Sequence, residues 1–263
     1  MYKGTILIII VLLSLMSCND NSINSQATVN KPIIDGILDE WEGKLFTQKG
    51  EKLGFGVMND DSTLYIAITT YDRQIIIQIL RGLTIWIDPN SKKNKSFGIK
   101  YPIEADMAGL MDISNRNSDQ NEDFEYFIRQ RLLQQSSMHY IKGDIVQYRD
   151  IGNDKGVQVK MFYNNGEINY ELKIPFNEYN SEMTEKISIG FESTPMQRPS
   201  GSSDHSSGKS RGGGRGGGMS GGGMSGGGKG GGQGSGGMQG KMKGMPEPVN
   251  VWLDIILNKV NDD

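Results

Sequence analysis

The chain has 263 residues, with 28 Lys and Arg against 31 Asp and Glu, for a formal net charge of −3. That mild acidity gives no electrostatic ground for a nucleic-acid partner, which would call for a basic face. One Cys and two His leave no internal disulfide and little with which to hold a transition metal.

The chain opens with Lys3, an unbroken apolar run from Ile6 to Leu13, and then Leu15-Met16-Ser17-Cys18. A positive start, a short apolar stretch and a small residue before the cut make a secretory signal peptide, too short to stay in a bilayer as a spanning helix. With Cys18 at the cut, the segment resembles the lipobox of bacterial lipoproteins. The resemblance implies that residues 1–17 are removed and that Cys18 carries the lipid, with an ordinary signal peptide and an incidental Cys as the alternative. Asn19 after the Cys, rather than Asp, points by the same resemblance to the outer membrane of a bacterial cell envelope. Residues 18–30 are polar with little to bury, so a flexible tether is expected there.

After residue 30 the apolar period is mostly two, the mark of half-buried strands. Leu53, Phe55 and Val57 alternate with Gly54, Gly56 and Met58. A polar turn at Asn59-Asp60-Asp61-Ser62 follows, and Leu64, Ile66 and Ile68 then alternate in their turn. Asp72 to Arg81 fits one or two helical turns as well as a strand, and the helix, with Asp72 as its cap, is the preferred reading. Leu83 to Asp88 is a strand that stops at Asp88-Pro89-Asn90. Phe124 to Gln135, with Phe124, Phe127, Ile128 and Leu132 on one face, is a helix expected to lie over an open face or end. Val157 to Tyr163 and Glu167 to Ile174 form a hairpin around Asn164-Asn165-Gly166. Ile187 to Glu192 and Val249 to Leu257 complete the strands. The expected fold is a mainly β, antiparallel β-sandwich with one or two short helical insertions, spanning residues 31–198 with 246–260.

Residues 199–245 form a Gly/Met/Ser-rich insert between the last two strands. Arg211 to Gly240 is about two-thirds Gly, a composition that cannot offset its ordering entropy, so a disordered loop is expected. Arg211-Gly-Gly-Gly-Arg215 echoes RNA-binding tracts and the Met residues echo Cu(I) sites. In an exported chain with widely spaced Met, a solvated loop is the simpler reading.

Three motifs resemble family 9 carbohydrate-binding modules and the related DOMON-like sandwiches. They are Ile34-Asp35-Gly36-Ile37-Leu38-Asp39-Glu40-Trp41, the Val57-to-Ile66 hairpin, and Glu171-Leu172-Lys173-Ile174-Pro175-Phe176. In order, they cover most of the folded chain apart from Glu104 to Asp150, and they imply the sandwich fold and a glycan ligand. Physically they read as structural: Gly36 for a tight turn, Asp35 or Asp39 as acceptors of backbone N–H groups, and Trp41 as a plug at one end of the sandwich.

Strand alternation places Thr84, Trp86 and Asp88 on the face opposite Leu83, Ile85 and Ile87. It places Asn250, Trp252 and Asp254 opposite Val251, Leu253 and Ile255. Two readings stay open. Ordinary packing, the default, buries both rings under the Phe124–Gln135 helix; otherwise Trp86 and Trp252 form a glycan platform with Asp88 and Asp254 accepting hydroxyls. The acidic turns are candidates for structural calcium, although no EF-hand pattern is present, and no other cofactor is expected. The catalytic motifs G-x-S-x-G, H-E-x-x-H and the P-loop are absent, so an enzyme is not expected, with glycoside hydrolysis left open. The reading is a lipid-anchored cell-envelope protein that binds a glycan without catalysis. Its rivals are an envelope structural or assembly lipoprotein without a small ligand, and a haem-binding DOMON-like module using His139.

Overall fold

Apolar alternation becomes two facing sheets. The structure, a computed structural model, describes residues 22–47, 50, 52–103, 121–151, 156–179, 184–195 and 248–259. In chain order the strands are β1 (Ile23–Asn24), β2 (Gln26–Ala27), β3 (Phe46–Thr47), β4 (Gly54–Asn59), β5 (Thr63–Thr70), β6 (Leu83–Asp88) and β7 (Phe97–Lys100). There follow β8 (Ser137–Lys142), β9 (Ile145–Asp150), β10 (Gln158–Asn164), β11 (Glu167–Pro175), β12 (Lys186–Ser193) and β13 (Asn250–Ile256). One sheet runs β1-β13-β12-β6-β7-β8-β9; the other runs β10-β11-β5-β4-β2, with β3 also on β4. Their inner faces meet through Phe55 and Phe191, 4.8 Å between ring centroids, and through Tyr101 and Tyr170, at 6.2 Å. The fold is a β-sandwich.

Both expected hairpins form. β4 pairs antiparallel with β5, and β10 with β11, around Asn165 and Gly166 at φ 50° and 84°. Two successive left-handed residues are what a tight hairpin turn requires. The Arg73–Leu80 helix is capped as expected, Asp72 Oδ1 accepting from the N–H groups of Gln74 at 2.9 Å and Ile75 at 3.1 Å. β13 pairs with β12, so the chain on both sides of the Gly-rich insert belongs to one sandwich. The insert itself, residues 199–245, lies outside the described residues, as does Cys18.

Three expectations need correction. The first concerns the tether, because residues 22–28 are built into the fold. β1 pairs parallel with β13 and β2 parallel with β4, so the sheets are mixed rather than wholly antiparallel. Ser25 between them is buried and its N–H donates to Ile256 O at 2.9 Å, while Thr28 N–H donates to Asn59 O at 2.9 Å. This polar strap satisfies backbone groups at the edges of both sheets, which explains why it needs so few apolar residues.

The second correction moves the long helix, Asn121–Leu133, away from the Trp86 face. It packs against β10. There Phe124 meets Tyr163 edge-on at 6.4 Å, and the Arg73 guanidinium sits 4.1 Å over the Phe124 ring. Ile128 is buried on the same helix, and buried Arg131 donates to the backbone carbonyl of Ile103.

The third correction concerns Trp41. It is fully buried, on the outer face of the second sheet rather than at an end, among Met58, Tyr65, Ala67, Ile34, Leu38 and Leu45. Its indole Nε1–H donates to Glu171 Oε1 at 2.8 Å, while Glu171 Oε2 accepts from Gly36 N–H at 2.7 Å and Asp35 N–H at 3.1 Å. A Cβ on Gly56 would stand 2.6 Å from the Trp41 ring, so glycine is required beneath it. The first and third sequence motifs therefore meet in one structural lock.

Candidate functional site

With the helix elsewhere, the outer face of the first sheet holds both remaining tryptophans. Register puts Trp252 of β13 opposite Gly190 of β12, Gly190 opposite Trp86 of β6, and Trp86 opposite Gly98 of β7. A Cβ at Gly98 would lie 2.6 Å from the Trp86 ring and one at Gly190 2.8 Å from the Trp252 ring. Each indole therefore leans, in the same direction, onto a glycine of the next strand, and both remain half-buried. The expected sharing of one face by the two rings is met, and burial under the helix is not.

The two rings are held differently. Trp86 Nε1–H donates to Glu192 Oε2 at 2.7 Å, and Lys95 Nζ donates to the other oxygen of that carboxylate at 2.7 Å. Trp252 Nε1–H has no acceptor among the described residues. Asp254 accepts from Ser188 Oγ–H and lies 3.8 Å from Lys93 Nζ, partly open at the rim. Glu192, Lys93 and Lys95 escaped the sequence reading. Alternation alone could have put Glu192 on the outer face of β12, but its partnership with Trp86 depends on register.

Asp88, expected to accept a ligand hydroxyl, does not have that role open to it. It is buried, and its carboxylate accepts from the backbone N–H groups of Asn90 at 2.9 Å, Lys92 at 2.8 Å and Asn94 at 2.9 Å. It organises the loop after β6, in which Ser91 and Lys93 sit at φ 54° and 60°. Such left-handed non-glycine residues persist only where their surroundings hold them. Here the holding group is Asp88, and the effect is to hang Lys93 and Lys95 over the tryptophan face.

His139, the residue named for haem, lies on the outer face of β8 with its ring edge-on to Tyr148 at 4.4 Å. Burial, helped by nearby Lys100, holds its imidazole below the ordinary value. The adjacent Met138 is buried on the opposite face of the strand, so these neighbours cannot ligate together. Among the described residues no group of three His, Cys, Asp or Glu could hold a metal ion. The Asp60 turn, a calcium candidate, spends its carboxylate on Ser62 and Tyr65. A separate cleft of about 540 Å³ lies between the long helix and β10. Its cations Arg129 and Lys160 are both exposed, and Asp35 is turned to Ile37 N–H at 2.7 Å.

No family model matches the chain, and no curated protein matches it. Solved structures do. Two that it resembles are family 9 carbohydrate-binding modules. One, from Caldicellulosiruptor kristjanssonii in complex with glucose, is 11% identical over 92% of this chain and 98% of that one, with a TM-score of 0.40. Another, from the same organism in complex with cellotriose, is 13% identical over 65% of this chain and 75% of that one, with a TM-score of 0.32. Both likenesses are weak, and the sandwich rests on this chain's own strand order and register.

Proposed function

We propose that this is a non-catalytic carbohydrate-binding protein of the bacterial cell envelope, anchored through lipid on Cys18, and that Trp86 and Trp252 are its sugar platform. The observation that carries the binding role is the pair of half-buried indoles side by side on an outer sheet face. Large aromatic rings left partly in water mark interaction sites. A pyranose offers what this face takes, with apolar C–H patches for the rings and hydroxyls that both donate and accept. Asp254 and Glu192 supply acceptors, while Lys93, Lys95 and the Trp252 indole N–H supply donors. Both carboxylates have ammonium partners, so neither is set up as a buried general acid. The anchor rests on the sequence from Lys3 to Cys18. A glycan array probed with the mature protein tests the binding role. The expected result is retention of at least one glycan class that Trp86→Ala and Trp252→Ala each abolish while thermal unfolding stays cooperative. Binding that survives both substitutions would remove this face as the site. Cys18→Ser should move the protein out of the membrane fraction, and unchanged fractionation refutes the anchor.

A further inference from the structure

The strap leaves a lipid anchor little room. The fold holds the chain from Ile23 onward, and from Cys18 to Ile23 a fully stretched chain reaches about 18 Å. Ser25 clamps the strap to both sheets. Its Oγ–H donates to Asn59 Oδ1 of β4, its Oγ accepts from Asn258 N–H at 3.0 Å, and its carbonyl accepts from Asn258 Nδ2–H at 2.6 Å. Asn59 Nδ2–H in turn donates to Asn258 O at 2.8 Å, and Ser25 and Asn59 are both buried. Drawing the strap out to lengthen the tether would leave these buried groups unpaired. The segment after the strap is apolar and open. Val29 is 79% and Ile33 65% exposed, and no Asp or Glu occurs from Asn21 to Ile34. Lys31 between them reaches Asp60 at 3.9 Å, and Ile33 N–H donates to Glu40 Oε1 at 3.3 Å. These contacts hold the segment against the β4–β5 turn and the helical turn Asp39–Trp41.

Resting on the lipid-anchor reading and independent of the sugar platform, we infer that the strap side of the sandwich lies on the bilayer surface, with Val29 and Ile33 seated among the lipid headgroups. The tether keeps this side near the lipid. β9 stands at the opposite edge of the first sheet, six strands from β1, so that edge points away from the membrane. The contact is apolar rather than electrostatic, because Asp60 already partners Lys31. Aliphatic side chains gain from leaving water for the boundary between headgroups and acyl chains. The anchor makes their contact intramolecular, so two exposed side chains suffice where a free protein would need a larger surface. The first sheet then rises from the lipid with β1 and β13 lowest and β9 highest.

The test puts a fluorophore on Asn30→Cys or on Tyr148→Cys, the introduced thiol being the free one once lipid occupies Cys18. The lipidated protein is reconstituted into phosphatidylethanolamine–phosphatidylglycerol vesicles carrying a nitroxide quencher on their headgroups. The Asn30 label should be quenched about threefold more than the Tyr148 label. Inserting about 20 Gly and Ser residues after Asn21 removes the tether's restraint. The contrast should survive that insertion, because the anchored domain still meets the surface at high effective concentration. Adding Val29→Ser and Ile33→Ser to the extended protein should then abolish it, with cooperative unfolding retained. Equal quenching at the two labels, in protein that stays with the vesicles, overturns the inference and leaves the anchor. Loss of the contrast on extension alone, or its persistence in the extended Ser variant, overturns the Val29–Ile33 contact. Wild-type protein that does not fractionate with cell membranes removes the anchor and this reading with it.

Discussion

Replacing Trp41 by Phe isolates the bond that fastens the Ile34–Trp41 segment to the second sheet. Phe keeps most of the buried ring area over Gly56 but has no N–H to give Glu171 Oε1. A buried hydrogen bond to a charged acceptor is worth about 1.5–3 kcal/mol, and the smaller ring adds a lesser packing loss. The expected cost near neutral pH is therefore about 2–4 kcal/mol, against about 5 kcal/mol for Trp41→Ala, which loses the packing as well. The pH dependence sharpens the claim. Burial raises the Glu171 carboxyl above its ordinary 4.5, while the Trp41, Gly36 and Asp35 donors pull it back down. A carboxyl raised in the folded state binds protons more tightly there than in the unfolded chain, so its stability contribution is full below about 4.5 and falls as pH rises through the folded value. Removing the Trp41 donor lifts that folded value further and widens the window of loss. The Trp41→Phe cost should thus be small at pH 4 and grow towards pH 7. Urea unfolding at several pH values measures it, as a shift in midpoint at constant slope. A cost under about 0.5 kcal/mol at pH 7, or one that grows as pH falls, would refute the lock.

Three further outcomes follow from the same contacts. Asp88→Ala should strip amide-exchange protection from Asn90, Lys92 and Asn94 and cost about 2–3 kcal/mol, since three backbone donors lose one acceptor; retained protection would contradict the assigned role. Gly98→Val should push the Trp86 ring off its seat, shifting tryptophan emission and costing about 1–3 kcal/mol, and an unchanged spectrum would show that the ring does not rest there. Asp72→Ala should cost about 1 kcal/mol of helix capping. Because the helix N–H groups and Lys52 hold the Asp72 carboxyl below its ordinary 3.8 against burial, that contribution should vanish as pH falls through the folded value, the opposite sense to Glu171.

The sequence by itself determined whatever a single segment's pattern can encode. Alternation in Leu83–Asp88 and Val249–Leu257 placed Trp86 and Trp252 on one face, because side chains on a strand repeat every second residue whatever the strand pairs with. Asn165-Gly166 specified its hairpin, and Asp72 its helix start, through φ preferences and side-chain hydrogen bonds local to each. The tertiary structure decided everything that depends on which strands become neighbours. Ile23–Asn24 and Gln26–Ala27 are too short and polar to read as strands, and they exist because β13 and β4 leave edges to be satisfied. Asp88 looked free to meet a ligand until the loop folded back and gave it three N–H groups. Gly98 and Gly190 carried no signal of their own, and alternation could give Glu192 its face but not its partner. They matter because register sets Gly190 and Gly98 beside the tryptophans and brings Glu192 within reach of the Trp86 indole, and register belongs to pairs of strands rather than to either sequence alone.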